Sequence, residues 1–248
     1  GDKIQGDPPG LGRGPFVSVQ VLSFNDYHGH LEATDGPLSR AQDPAQNPVG
    51  GVEYLSANLA ALRAKVGAKN SLTVAAGDLI GGSPFLSGMF HDEPSVESLN
   101  ALGLDVSSVG NHEFDEGTTE LLRMQNGGCH PVAGCYFPDQ PYEGADFQWL
   151  AANVIRKDNG KPLLPATTVK IVNGARIGFI GMTLKATPTL VSPAGVATVD
   201  FRDEVETANL QAAALKKRGV EAIVVLIHEG GYQTGLFGQC LGISEPIA

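Results

Sequence analysis

The chain has 248 residues, 42% of them hydrophobic, and carries 17 Lys and Arg against 27 Asp and Glu, a formal net charge of −10. That length suits one large α/β domain or two small ones, and the apolar fraction suffices for a substantial core. The acidic balance speaks against gripping a nucleic-acid duplex; were a substrate to carry phosphate, bound cations and not the overall field would have to draw it in. No apolar run approaches the ~20 residues of a membrane span. The first residue is Gly1 and no signal-peptide pattern follows, which reads as a processed or engineered form.

Residues 1–15, rich in Gly and Pro, read as a flexible leader, and residues 16–248 as the folded domain. Residues 17–24 alternate and then turn apolar, the pattern of a strand passing from half-buried to buried. Residues 33–48 are expected to form a surface loop. Leu55, Leu59, Leu62 and Val66 then recur at helical spacing, predicting a helix packed on a sheet. Residues 72–76 form the next strand. Residues 81–89 are too glycine-rich for a helix and too apolar for a solvated loop, so they read as a loop over a site or against a neighbouring domain. Pro94 opens a short helix with Val96, Leu99, Ala101 and Leu102 facing inward. It returns to a strand at 105–109, which completes a βαβ unit and brings Asp78 and Asn111 out side by side. Residues 147–154 resemble a further strand. Residues 168–172 and 176–180 read as a hairpin across Asn173-Gly174-Ala175. A helix over 203–218, with spacing at Val205, Ala208, Leu210, Ala212 and Leu215, leads to a strand at 222–227. The hairpin implies a mixed sheet or two sheets.

Cys129 and Cys135 bracket a short loop containing glycines and a proline, which predicts a disulfide and hence a secreted, periplasmic or cell-surface location. The alternatives are two reduced cysteines or a small metal clip with His130. Cys240 is then left over and suggests a partner outside these residues.

Four strand ends deliver metal-type ligands: Asp26 and His28, Asp78 after Gly77, Asn111 and His112 after Gly110, and His228. Parallel α/β sheets build sites where the carboxyl ends of strands open into a crevice. Singly, Asp26 reads as a turn or cap, Asn111 as a left-handed turn and His228 as a core histidine; four such groups at four strand ends read as one site. Donors of this kind without thiolate suit Zn²⁺, Mn²⁺ or Fe²⁺. His30, Glu32 and Glu113 are expected to support the site without ligating metal, and His91 to lie at the surface.

Asn25-Asp26-Tyr27-His28-Gly29-His30, Gly77-Asp78, Gly110-Asn111-His112-Glu113-Phe114-Asp115 and His228 resemble the calcineurin-like metallophosphoesterases. The wording is similar to their secreted 5′-nucleotidase and 2′,3′-cyclic-nucleotide phosphodiesterase branch. The resemblance implies a four-layer fold, mixed β-sheets sandwiched by helices, incomplete at the C-terminus because the family's Gly-His-x-His segment does not follow His228. It further implies two divalent cations, with Asp78 bridging, Asp26 and His28 on one side, and Asn111 and His228 on the other. His112 then steadies the phosphoryl group or protonates the leaving oxygen, oriented by Asp115. The implied reaction is hydrolysis of nucleotide phosphate monoesters, with cyclic diesters in second place. Without the Gly-His-x-His segment each cation lacks a ligand, so these residues alone are expected to bind metal weakly or at one position only, and a further C-terminal domain is expected to hold the nucleoside. A noncatalytic binding module and a dimetal hydrolase of non-phosphate esters remain the alternatives.

Overall fold

The computed structural model describes residues 16–35, 45–220, 222–235, 239 and 241–244; the leader at 1–15 and Cys240 lie outside the described residues. Strands β1 (Gln20–Phe24), β2 (Ser71–Ala75), β3 (Val106–Ser108) and β4 (Gln148–Leu150) form a four-stranded sheet in that order, every pair parallel. The crossovers carry helices α1 (Val52–Val66), α3 (Glu93–Leu102) and α4 (Gly117–Asn126), with a single turn α2 (Phe85–Gly88) before α3. A second sheet has the order β6 (Thr167–Val172), β7 (Ala175–Thr183), β9 (Ala222–His228), with β6 antiparallel and β9 parallel to β7. Helix α5 (Glu204–Lys217) packs on it, and β5 (Val154–Arg156) pairs with β8 (Val199–Phe201) apart from both sheets.

The layers follow from which strand faces are apolar. Leu72, Val74, Val106 and Leu150 of the first sheet meet Val172, Ile177, Phe179 and Leu226 of the second. Val96, Leu99, Leu121 and Met124 cover the first sheet's other face, and Leu215 with Ala208 and Ala212 covers the second's. Both sheets are thus sandwiched, as expected for a fold of two sheets between helices. Burying one Leu or Phe side chain contributes about 1.5–3 kcal/mol, so these three clusters dominate stability.

Several sequence expectations need correction. Residues 147–154 do not form one strand: β4 and β5 belong to different sheets. Between them the fully buried Asn153 donates through Nδ2 to the carbonyls of Thr183 (2.6 Å) and Arg202 (3.1 Å) and accepts the Thr183 N–H (3.1 Å), turning the chain between layers. Residues 81–89 contain a helical turn, because Pro84 starts α2 and its carbonyl accepts the N–H groups of Ser87 and Gly88. Ala101 faces solvent, since α3 buries the stripe Val96, Leu99 and Leu102. Val205 and Leu210 are likewise exposed, lying off the stripe through Ala208, Ala212 and Leu215. The hairpin turn has two residues: Ala175 pairs with Val172, and Asn173 and Gly174 take positive φ (49° and 80°), the signature of a type I′ turn.

Candidate metal centre

β1, β2 and β3 end together, and the loops that follow are laced to one another. The N–H of Asp26 donates to Gly77 O (3.1 Å), that of His28 to Asp78 O (3.1 Å) and that of Gly29 to Leu79 O (3.2 Å). Asp26, His28 and Asp78 all adopt the left-handed region, with φ of 54°, 45° and 52°. Such backbone costs on the order of 1–3 kcal/mol per residue and persists where the surroundings over-determine it. The exits of β2 and β3 pass so closely that a Cβ on Gly77 would collide with the Gly110 backbone, and one on Gly110 with the Asp78 carboxylate.

Asp78 lies at the centre, 3% exposed. Its Oδ1 accepts the His112 N–H (3.0 Å). Its Oδ2 faces His228 Nε2 at 3.1 Å and His28 Nε2 at 3.6 Å. The ligand atoms of Asp26, Asp78 and His228 all lie within 4.8 Å of one another, as do those of His28, Asp78 and His112. Asp78 is therefore common to two groups. Asp26 is the exposed member, with Oδ1 3.8 Å from His28 Nε2 and its carboxylate beside the Asn25 amide.

The tautomers of the two histidines follow from their other contacts. His28 Nδ1 is 2.7 Å from Gly81 O, and His228 Nδ1 is 2.8 Å from Ala76 O. A carbonyl oxygen only accepts, so each Nδ1 bears the proton and each neutral ring turns its Nε2 lone pair toward Asp78. Two imidazole lone pairs thus face the lone pairs of one buried carboxylate, an arrangement that needs a cation or a proton between them. Backbone anchoring of the distal nitrogen is also how metal-ligating histidines are held. Where a proton takes that place, burial works against the His228 charge, but the hydrogen bond and charge of Asp78 outweigh it and push the imidazole up to about 9. Burial favours protonating Asp78, and His228 more than offsets it, holding the carboxyl below its usual value. The donor set fits divalent cations of the zinc, manganese and iron class.

Glu113 is the supporting group that holds the centre together. Its buried carboxylate accepts the N–H groups of Asp78 (2.9 Å), Leu79 (2.7 Å) and Gly110, fastening the exit of β2 to that of β3. Burial and the Asp78 charge push its carboxyl up to about 7, against the pull of those three donors. His112 stands edge-on to His28, with ring centroids 4.8 Å apart, and its Nδ1 donates to Asp115 Oδ2 (2.8 Å). Burial lowers the His112 pKa, but the Asp115 hydrogen bond and charge raise it above the ordinary imidazole value.

The structure therefore brings Asp26, His28, Asp78, His112, Asp115 and His228 together. Asn111 adjoins them through its neighbour His112; its φ of −73° removes the left-handed-turn reading, and its side chain makes no hydrogen bond among the described residues. His30 is exposed and lines a cavity of about 460 Å³ with Asp26, Asn25, Tyr54 and Asn58. A second cavity, of about 190 Å³, opens beside His112 and Asp115 and is lined also by Gly81, Gly82 and Ser83. Cys129 and Cys135 are joined in a disulfide, Cα atoms 4.5 Å apart, which excludes a cysteine metal clip with His130. The sequence reading missed the carbonyls of Ala76 and Gly81 as ring anchors, because main-chain groups leave no signal in residue type. His91, expected at the surface, is partly exposed, and its ring stacks on His130 with centroids 3.8 Å apart.

No family model matches the chain. It is 40% identical over 219 residues to endonuclease YhcR of Bacillus subtilis, covering 88% of this chain and 17% of that protein. It is 37% identical over 229 residues to the cell wall protein Lmo0130 of Listeria monocytogenes, covering 88% of this chain and 28% of that one. Among solved structures, the 5′-nucleotidase precursor from Thermus thermophilus superposes with a TM-score of 0.67 at 29% identity, covering 85% of this chain and 37% of that chain. The chain thus spans well under half the length of these relatives.

Proposed function

Because the chain belongs to the 5′-nucleotidase family of calcineurin-like phosphoesterases, we propose that it hydrolyses phosphate esters of nucleotides with the help of two divalent cations. The observation that carries this reading is the convergence of two imidazole Nε2 lone pairs on the buried carboxylate of Asp78. Divalent cations at such a centre polarise phosphoryl oxygens and lower the pKa of water.

Asp78 would be shared by the two cations, with Asp26, His28, Asn111 and His228 completing the protein's share of the ligands. Glu113 keeps Asp78 and Gly110 in register, and the two carbonyl anchors keep His28 and His228 from turning away. His112 carries its proton toward the alkoxide leaving group: Asp115 fixes the ring through Nδ1 and favours the charged form, leaving Nε2 free to donate. The cavity beside His112 would receive that leaving group. The larger cavity beside Asp26 leaves room for a second ester substituent, and together with the likeness to an endonuclease it favours phosphodiesters as a second substrate class.

The disulfide and the likeness to a cell wall protein support a place outside the cytoplasm. No helix among the described residues is long and apolar enough to cross a membrane. The test is phosphate release from a nucleoside 5′-monophosphate by metal-stripped protein on addition of Mn²⁺ or Zn²⁺. Release is expected for the wild type and not for Asp78→Ala; equal release by both refutes the proposal.

A further inference from the structure

A second group of ligand-type side chains lies beyond His112, on the far side of the 190 Å³ cavity: His91, Glu116, Glu120 and His130, whose ligand atoms all lie within 4.8 Å of one another. Three separate segments deliver them. His91 comes from the turn before α3, Glu116 from the position that precedes α4 and Glu120 from that helix's first turn, and His130 from the disulfide loop.

At this place, among the described residues, carboxylates outnumber the one guanidinium, that of Arg123. Arg123 is committed to two carboxylates: it donates to Glu93 Oε1 through Nη1 (2.6 Å) and to Glu120 through Nε (2.9 and 3.0 Å) and Nη2 (2.7 Å). Glu93 and Glu120 are both 8% exposed, so one guanidinium faces two buried carboxylates. Glu116 adds a third negative group and, among the described residues, has only histidines as partners. Asp92 and Asp115 line the same cavity but have donors of their own, Asp92 the Gly81 N–H and the Ser87 hydroxyl, Asp115 the His112 ring. Buried carboxylates in excess of their cations are held by protons or metal ions.

The imidazoles divide the roles. His130 Nδ1 accepts the N–H groups of Ala133 (3.0 Å) and Val132 (3.3 Å), which places its proton on Nε2, pointing toward Glu116 Oε2 at 3.8 Å. His130 is therefore no ligand; it stacks on His91 at 5° between ring planes and fixes that ring. His91 Nδ1 lies 2.8 and 2.9 Å from the two Glu116 oxygens, where a cation can replace the shared proton. We propose that His91, Glu116 and Glu120 form a further divalent-cation site, distinct from the Asp78 centre, with its open positions facing the cavity. One imidazole and two carboxylates suit Zn²⁺ or Mn²⁺, and three protein ligands beside open space describe a site that keeps water or takes a ligand. Such an ion would balance the excess carboxylate charge and fasten the disulfide loop, through His130 and His91, to α4.

The test isolates this site by removing the other. The Asp78→Ala protein, dialysed against micromolar Zn²⁺, is expected to keep one ion per chain, and Asp78→Ala/His91→Ala and Asp78→Ala/Glu116→Gln to bind it at least tenfold more weakly. Glu116→Gln is at an exposed position and guards against loss through misfolding, which circular dichroism checks in each variant. Zinc that stays equally tight in both double variants, or an Asp78→Ala protein that folds and holds no ion, overturns the proposal. Neither result touches the role of Asp78 in phosphate-ester hydrolysis.

Discussion

Removing the Glu113 carboxylate perturbs the centre without touching a proposed ligand. Glu113→Ala leaves the N–H groups of Asp78, Leu79 and Gly110 without their acceptor in a buried place. Each unsatisfied donor costs about 1–3 kcal/mol. The gain is relief of a carboxylate that burial and Asp78 have pushed up to about 7, and this offsets part of the loss. A net destabilisation of about 3–5 kcal/mol remains, at the upper end for a single substitution. For a domain of this size that lowers Tm by about 6–20 °C. Glu113→Gln can set its one carbonyl oxygen where Oε2 accepts from Asp78 and Gly110, losing chiefly the Leu79 bond, so about 1–3 kcal/mol is expected. Thermal and urea unfolding should rank wild type above Gln above Ala, with metal affinity falling in the same order. An Ala variant as stable as wild type would show that the two strand exits do not depend on this carboxylate.

Four further outcomes are expected. His112→Ala should lower kcat by about 10²–10⁴ in a phosphate-release assay while leaving metal content unchanged, and Asp115→Asn should lower it less, because Asp115 acts through the His112 ring. Asn153→Ala should cost about 2–4 kcal/mol in urea unfolding, since three hydrogen bonds of this buried side chain, two of them fully buried, join β5, β7 and β8 there. Replacing Cys129 and Cys135 by Ser opens a short loop with a sequence separation of 6, and loop-closure entropy gives about 2 kcal/mol for it; equal Tm values with and without the bond would contradict this.

Where side-chain type and strand ends coincide, the sequence was sufficient. Asp26, Asp78, His112 and His228 each follow an apolar run, and parallel pairing of β1, β2 and β3 carries three of them into one crevice. The βαβ step joining Asp78 to Asn111 was legible for the same reason. What the sequence hid is set by partners that only the fold supplies. Nothing in the order Ala151-Ala152-Asn153 says that the chain leaves one layer for another, because the cause is the Asn153 side chain meeting Thr183 and Arg202. Ala101, Val205 and Leu210 are apolar yet exposed, since a helix a few turns long buries one stripe and apolar residues off it remain outside. Glu113 reads as one acid among several, and only its three main-chain partners show what it holds. The pairing of His91 with His130 spans two loops, beyond the reach of periodicity.

The most direct measurement is the metal content of Asp78→Ala beside the wild type, by equilibrium dialysis with Mn²⁺ or Zn²⁺ followed by elemental analysis. If Asp78 is shared between two cations, the variant binds two fewer ions per chain than the wild type, lost together and not one by one. A variant that holds as many ions as the wild type contradicts the shared-carboxylate centre on which the proposed function rests.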